Sequence, residues 1–196
     1  MTSTTRIPPT PITGPLGYVI KRFSRKVLGR VPDSIGVMWH HRPVLLALSK
    51  VGQKVQKWDQ LDANLTSFAH MATAARIGCS FCLDYGYFEA HNKGLDLAKA
   101  SEVPRWRESG AFTSLERDVM EYAEAMTETP PRVTDELSGR LLEQLGAAAL
   151  IELGAVVGFA NLTARGNVAL GIESEGFSKV CAVPLAEPSP RYAASA

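Results

Sequence analysis

Cys79 and Cys82 stand three residues apart, directly after Gly78, in the stretch Arg76-Ile77-Gly78-Cys79-Ser80-Phe81-Cys82-Leu83-Asp84-Tyr85-Gly86. Three residues is nearly one helical turn, so on a helix both sulfurs face the same way and can close a disulfide. The glycine suits a helix break, which places Cys79 at the start of the next helix. Unpaired N–H groups and the helix dipole favour a thiolate over a thiol there. The plainer alternative is a pair of small buried cysteines that happen to sit one turn apart.

Elimination narrows the chemistry. A structural zinc site needs four ligands, and no second Cys or His pair at matched spacing exists; Cys181 stands alone. Covalent haem needs a histidine where Leu83 stands, and a thioredoxin-type site needs a βαβ setting. A redox dithiol or a packing pair remains. In a dithiol, Cys79 gains more from the helix N-terminus and is the attacking thiol, while Cys82 resolves the intermediate. Gly86 lies on the same stripe one turn after Cys82, and Glu89 one turn further; Asp84 and His91 point away from it.

The elements that position the pair all read as helices. Leu16 to Leu28 combines an apolar stripe with Lys21, Arg22, Arg25 and Lys26, a basic face that reads as solvated. Ile35 to Lys57 reads mostly as helix, bent or restarted at Pro43, with Trp39 packing in the core and one of His40 and His41 at a surface or interface. Asp62 caps a helix from about Ala63 to Arg76, whose inner face is Leu65, Phe68, Ala69, Ala72 and Ala75. The cysteine helix runs to about Asn92, followed by short helices at Leu95 to Ser101 and after Val103-Pro104. Further helices are predicted from Ser114 to Thr127, with its acidic residues outside, from Thr134 to Gly146, and from Ala148 to Leu170. In the last, Gly154 and Gly158 allow close approach of another backbone. No β-alternation extends beyond four residues, so the fold class is all-α.

Length and composition bound the rest. The 196 residues suit one domain, expected at 16–175 between a flexible arm at 1–15 and a loosely attached tail at 176–196. A net charge of +1 makes no case for nucleic acid. Met1 to Gly17 has no apolar signal-peptide core, so a cytoplasmic protein is expected. Ala147 to Ile172 is apolar but contains Glu152, Asn161, Arg165 and Asn167, and reads as a buried helix rather than a membrane span.

From about Trp39 to Gly171 the chain resembles the carboxymuconolactone decarboxylase / alkyl hydroperoxidase D superfamily. The resemblance rests on Trp39-His40-His41-Arg42-Pro43, Gly78-Cys79-Ser80-Phe81-Cys82, Leu115-Glu116-Arg117-Asp118-Val119-Met120-Glu121-Tyr122-Ala123 and the helix of Gly154 and Asn161. It implies an alkyl hydroperoxidase D-like all-helical fold assembled as a trimer, dimer or hexamer. It also implies a thiol peroxidase or disulfide oxidoreductase that uses no cofactor, acts on a peroxide or disulfide, and is re-reduced by a thiol or lipoyl protein. Hydroperoxidase members carry a relay glutamate twelve residues before the first cysteine and a relay histidine four after the second. Ser67 and Gly86 stand at those positions here. Loss of both removes about 10²–10⁴-fold of general acid–base help unless something replaces it. The candidates are His70, on the helix face of Ser67, together with Glu89 and Asp84; capping or a subunit contact is the alternative role for Asp84. Two other readings stay open: a non-catalytic helical oligomer or small-molecule-binding module, and a decarboxylase or lactone enzyme with an anion site at His40, His41 or Arg42.

Overall fold

A computed structural model describes residues 5–190; residues 1–4 and 191–196, the outer ends of the expected arm and tail, lie outside the described residues. Among the described residues eight α-helices follow one another: α1 (Gly14–Leu28), α2 (Asp33–Met38), α3 (Arg42–Val55), α4 (Ala63–Ile77), α5 (Ser80–Asn92), α6 (Leu97–Glu102), α7 (Ser114–Thr127) and α8 (Asp135–Leu170). Short 3₁₀ turns at Trp39–His41, Val103–Arg105 and Phe177–Val180 complete the order, and no strand occurs among the described residues.

The helix ends follow from local chemistry. Asp62 Oδ1 accepts the Asn64 and Leu65 N–H groups at 2.8 and 3.3 Å and opens α4. Thr113 and Glu116 form a reciprocal capping box on α7. Helix α8 is interrupted at Gly146, whose φ of 78° and ψ of 166° only glycine tolerates readily, so two helices meet there at a kink.

The centre of the fold is α4, which packs against α5, α7 and α8 at once. Its buried set extends beyond the expected face to Met71, Thr73 and Ala74, so the helix is enclosed nearly all round. Five alanines keep it slim enough for that, and Phe68, fully buried, meets Phe112 edge-on at 5.7 Å between ring centres. Removing the Phe68 ring would cost about 3–5 kcal/mol.

Several expectations need adjustment. Helix α1 begins at Gly14, two residues early, with Pro15 in its first turn. The arm is tied down where it is described: Arg6 N–H donates to Leu170 O at 2.9 Å and Thr10 N–H to Gly36 O at 3.1 Å. On α7, Glu124 is buried rather than outside, because it accepts Trp106 Nε1–H at 2.6 Å and pairs with Arg107 at 2.7 Å. Gly154 and Gly158 admit side chains of α7, Tyr122 and Met126, rather than a backbone. Helix α8 is long and apolar enough to cross a membrane by length and composition. Its inner face, including Leu141, Leu153 and Val157, is core, and Glu152 on it accepts the Gln60 and Leu61 N–H groups.

Candidate active site

Gly78, with φ 78°, ends α4 in the left-handed conformation, and the chain turns at once into α5. Cys79 takes the extended N-cap position of α5, its N–H bonded back to Ala74 O at 2.9 Å. Its carbonyl accepts Leu83 N–H at 3.0 Å, and its sulfur accepts Cys82 N–H at 3.2 Å. A cysteine thus fills a role usually taken by Ser, Thr, Asp or Asn, and fills it best as a thiolate. Both thiols are free and buried.

The pair shares its charge unequally. The Cys79 pKa is lowered first by a hydrogen bond from the Cys82 thiol; burial opposes this, and the backbone N–H of Cys82, the Asn167 amide and the Phe81 N–H reinforce it. The Cys82 pKa is raised far above the ordinary thiol range by its bond to Cys79, by burial and by the Cys79 charge, with only Asn167 pulling it down. When the pair gives up one proton, the negative charge therefore settles on Cys79 and the remaining proton on Cys82.

Asn167 is the site residue that motif spacing does not reveal. It sits near the end of α8, 85 residues beyond Cys82, and its Nδ2–H donates to Cys82 Sγ at 3.3 Å. The available signal was its polarity within an apolar helix. Other polar side chains of that stretch also hold neighbouring elements: Asn161 donates to Thr127 Oγ1 at 3.0 Å, Arg165 reaches Thr127 O, and Glu152 holds the 60–61 turn.

The other candidates make their contacts with other groups. Asp84 is buried with its carboxylate fully engaged: it accepts Ser174 O–H at 2.8 Å, Phe177 N–H at 2.9 Å and Ser178 N–H at 2.7 Å. Burial raises its pKa, but the bonds from Ser178, Phe177 and Ser174 outweigh that and hold it below the ordinary carboxylate value. Asp84 therefore secures the 174–178 turn and is not poised to move a proton. Glu89 pairs with Lys93 at 3.0 Å one turn along α5. The His70 ring lies on Gly86, its Nδ1 only 2.9 Å from where a Cβ at 86 would stand. Burial lowers the His70 pKa, Glu89 raises it and Lys93 lowers it, so the charges it senses belong to that pair and not to the cysteines. Ser67 O–H only touches Met71 Sδ at 3.9 Å. In the front cluster, His40 Nε2 meets Pro8 O at 3.0 Å, His41 Nδ1 caps α3 through Val44 N–H, and Arg42 lies over the Trp39 ring. Those three side chains thus have structural partners.

A cavity of about 520 Å³ has Cys79 in its wall, between the α4–α5 junction and the segment after α8. Among the described residues no group of three His, Cys, Asp or Glu side chains converges as metal ligands.

Comparison with known proteins places this geometry. The carboxymuconolactone decarboxylase family model matches residues 43–125, which include both cysteines. The protein YnjA of Escherichia coli is 35% identical over 144 residues, covering 72% of this chain and 79% of its own. Among solved structures, the debrominase Bmp8 in complex with 2,3,4-tribromopyrrole superposes with a TM-score of 0.77 at 18% identity, covering 89% of this chain and 94% of that one. An uncharacterized peroxidase-related protein from Ralstonia eutropha, with an alkylhydroperoxidase AhpD core, superposes with a TM-score of 0.76 at 16% identity, covering 91% and 98%. These structural likenesses speak for the fold: all-α and alkyl hydroperoxidase D-like. The chain belongs to the carboxymuconolactone decarboxylase family.

Proposed function

We propose that the protein is a thiol-dependent peroxidase or disulfide oxidoreductase that cycles Cys79 and Cys82 between dithiol and disulfide. The observation that carries this reading is the Cys79 sulfur at the N-cap of α5, bonded to Cys82 N–H at 3.2 Å, with the second thiol one turn away. The Cys79 thiolate attacks the terminal oxygen of a hydroperoxide, and the O–O bond breaks. The departing alkoxide takes the proton of the Cys82 thiol, leaving Cys79 as sulfenic acid and Cys82 as thiolate. The Cys82 thiolate attacks the Cys79 sulfur and expels hydroxide, closing the disulfide. An external dithiol, small or lipoyl-bound, then returns two electrons and two protons, one to Cys82 and one to the hydroxide.

This sequence explains how the site works without the glutamate and histidine that Ser67 and Gly86 replace. Cys82 supplies the acid, and Asn167 holds the anion that results. In this reading His70 and Glu89 are not required as acid or base: Glu89 pairs with Lys93, and the His70 ring rests on Gly86. A dithiol cycle of this kind belongs in a reducing, cytoplasmic compartment.

Self-association is the partner we assign. Leu16, Val19, Phe23 and Val27 form an exposed apolar stripe on α1, α3 buries no residue in the isolated chain, and Ile151 and Leu162 stand 74% and 58% exposed on α8. Replacing Phe23 with Asp should lower the oligomeric state in sedimentation; an unchanged state excludes the α1 stripe as an interface.

The test of function is peroxide consumption with a dithiol reductant by wild type, Cys79→Ser and Cys82→Ser. Loss of turnover in both variants is expected, and equal rates in all three proteins would sink the reading. The non-catalytic alternative predicts unreactive thiols and no intramolecular disulfide after mild oxidation. Turnover of a lactone acid by the double Cys→Ser variant would favour the decarboxylase alternative.

A further inference from the structure

The segment after α8 covers the cysteine helix rather than trailing from the fold. Ile172 and Phe177 are buried, and Asp84 holds the turn between them through three hydrogen bonds. Further on, Tyr87 O–H donates to Val183 O at 2.7 Å, Ala186 N–H to Ser101 O at 2.9 Å, and Ser189 N–H to Pro104 O at 3.2 Å. The expected loose tail is therefore fixed to α5, α6 and the turn after it, as far as it is described. Between its anchors it roofs the cavity in which Cys79 lies.

The composition of that cavity is selective. Ala74, Ala75 and Leu83 form apolar walls from α4 and α5, while Leu185 and Pro188 close it from the C-terminal segment. Its charged lining residues are Asp84 and Glu187, both acidic, and none of its lining residues is Lys, Arg or His. About 520 Å³ is within the range of small-molecule sites. Cys79 is 1% exposed and lies in the wall of this cavity, so a reactant approaches it by way of the cavity. An uncharged apolar molecule gains by leaving water there. Among the lining side chains an anion finds no cation and meets two carboxylates, which oppose the attraction of the α5 N-terminus.

We propose that this cavity is a charge-selective reactant pocket, which admits uncharged apolar molecules to Cys79 and turns anions away, with the C-terminal segment as its selecting wall. The occupant fitting the dithiol chemistry is an organic hydroperoxide without a carboxylate. That identification rests on the peroxidase reading; the pocket and its charge preference do not.

Alkylation of Cys79 tests the pocket independently of turnover. The fully reduced wild-type chain is treated with iodoacetamide or iodoacetate, Cys79 modification is followed by peptide mass mapping, and both rates are normalised to those of N-acetylcysteine amide. The neutral reagent should be favoured by about fivefold or more over the solution thiol's own preference. Glu187→Gln, a substitution at an exposed position, should reduce that preference by about threefold. Leu185→Trp should slow both reagents by filling the cavity. A preference equal to that of the solution thiol, unmoved by Glu187→Gln, would overturn the proposal. In a second arm, cumene hydroperoxide should be consumed faster than its para-carboxylate. Failure to consume either, with the alkylation preference intact, overturns the peroxidase reading and leaves the pocket standing.

Discussion

Replacing Asn167 tests how the cysteine pair manages its charge. The Asn167 amide donates to Cys82 Sγ at 3.3 Å and is the one group that pulls the Cys82 pKa down. In the resting pair, the hydrogen bond to Cys79, burial and the Cys79 charge all keep Cys82 protonated. Oxidation of Cys79 to sulfenic acid removes its charge, so burial becomes the principal force against a Cys82 thiolate and Asn167 the principal force for it. A hydrogen bond to a charged group contributes about 1.5–3 kcal/mol. Lost from the transition state for ring closure, that corresponds to a slowing of about 10- to 100-fold. Asn167→Ala should therefore leave the first peroxide step less affected than disulfide closure. After one equivalent of peroxide, dimedone should trap Cys79 sulfenic acid in the variant and little in wild type. Asn167→Asp should close still more slowly, since a carboxylate beside buried sulfurs opposes a second anion. A thermal melt separates this from misfolding, because the neutral bond itself contributes only about 1 kcal/mol to stability. Unchanged closure and no added dimedone adduct would refute the role assigned to Asn167.

Other perturbations read the surrounding structure. Gly86→Ala would place a methyl group 2.9 Å from His70 Nδ1, 3.1 Å from its Cε1 and 3.3 Å from Met71 Cγ, so a loss of about 1–3 kcal/mol is expected in urea denaturation; His70→Ala in the same chain should recover part of it. Asp84→Asn removes a buried carboxylate from three donors and should cost about 2–3 kcal/mol, with faster proteolysis after residue 172 as the local readout. Because its folded pKa is depressed, the Asp84 contribution is fully present above about pH 4 and disappears as pH falls through the lower folded value. The His70 pKa is depressed too, so the unfolded chain takes up this proton first, near pH 6.5. Stability should fall as pH drops below that value, chiefly because burial disfavours the charged ring, with Glu89 opposing and Lys93 reinforcing that effect, and His70→Gln should flatten this limb of the pH–stability curve.

What sequence could and could not reveal about this site follows from how far each interaction reaches along the chain. The Gly78 break, the cysteine spacing and the Asp62 cap are local, complete within one or two helical turns, and all three are legible in the residues themselves. Gly146 was legible for the same reason, since a left-handed residue inside a helical pattern leaves few choices. His70 and Gly86 could be named individually but not joined, because the contact between them crosses from α4 to α5 and depends on how closely the two helices pack. Asn167 and the C-terminal roof lie further still, and their meaning exists only after the chain has folded back on itself.

Asp84 shows why this matters for function. Helical spacing placed it off the cysteine stripe, and that same displacement turns it toward the chain after α8, where three donors fix it. A carboxylate beside a dithiol motif invites a proton-transfer role, yet one with all its strong acceptor directions filled and its pKa depressed is a poor base at neutral pH. Its contribution to chemistry is indirect. By fastening the segment that packs over Cys79 it helps keep both sulfurs buried, and burial strengthens the dipoles acting on them, from the α5 N–H groups to the Asn167 amide. On the proposed cycle the proton economy is internal to the cysteine pair, and on the proposed pocket selectivity is set by a segment that carries none of the motif.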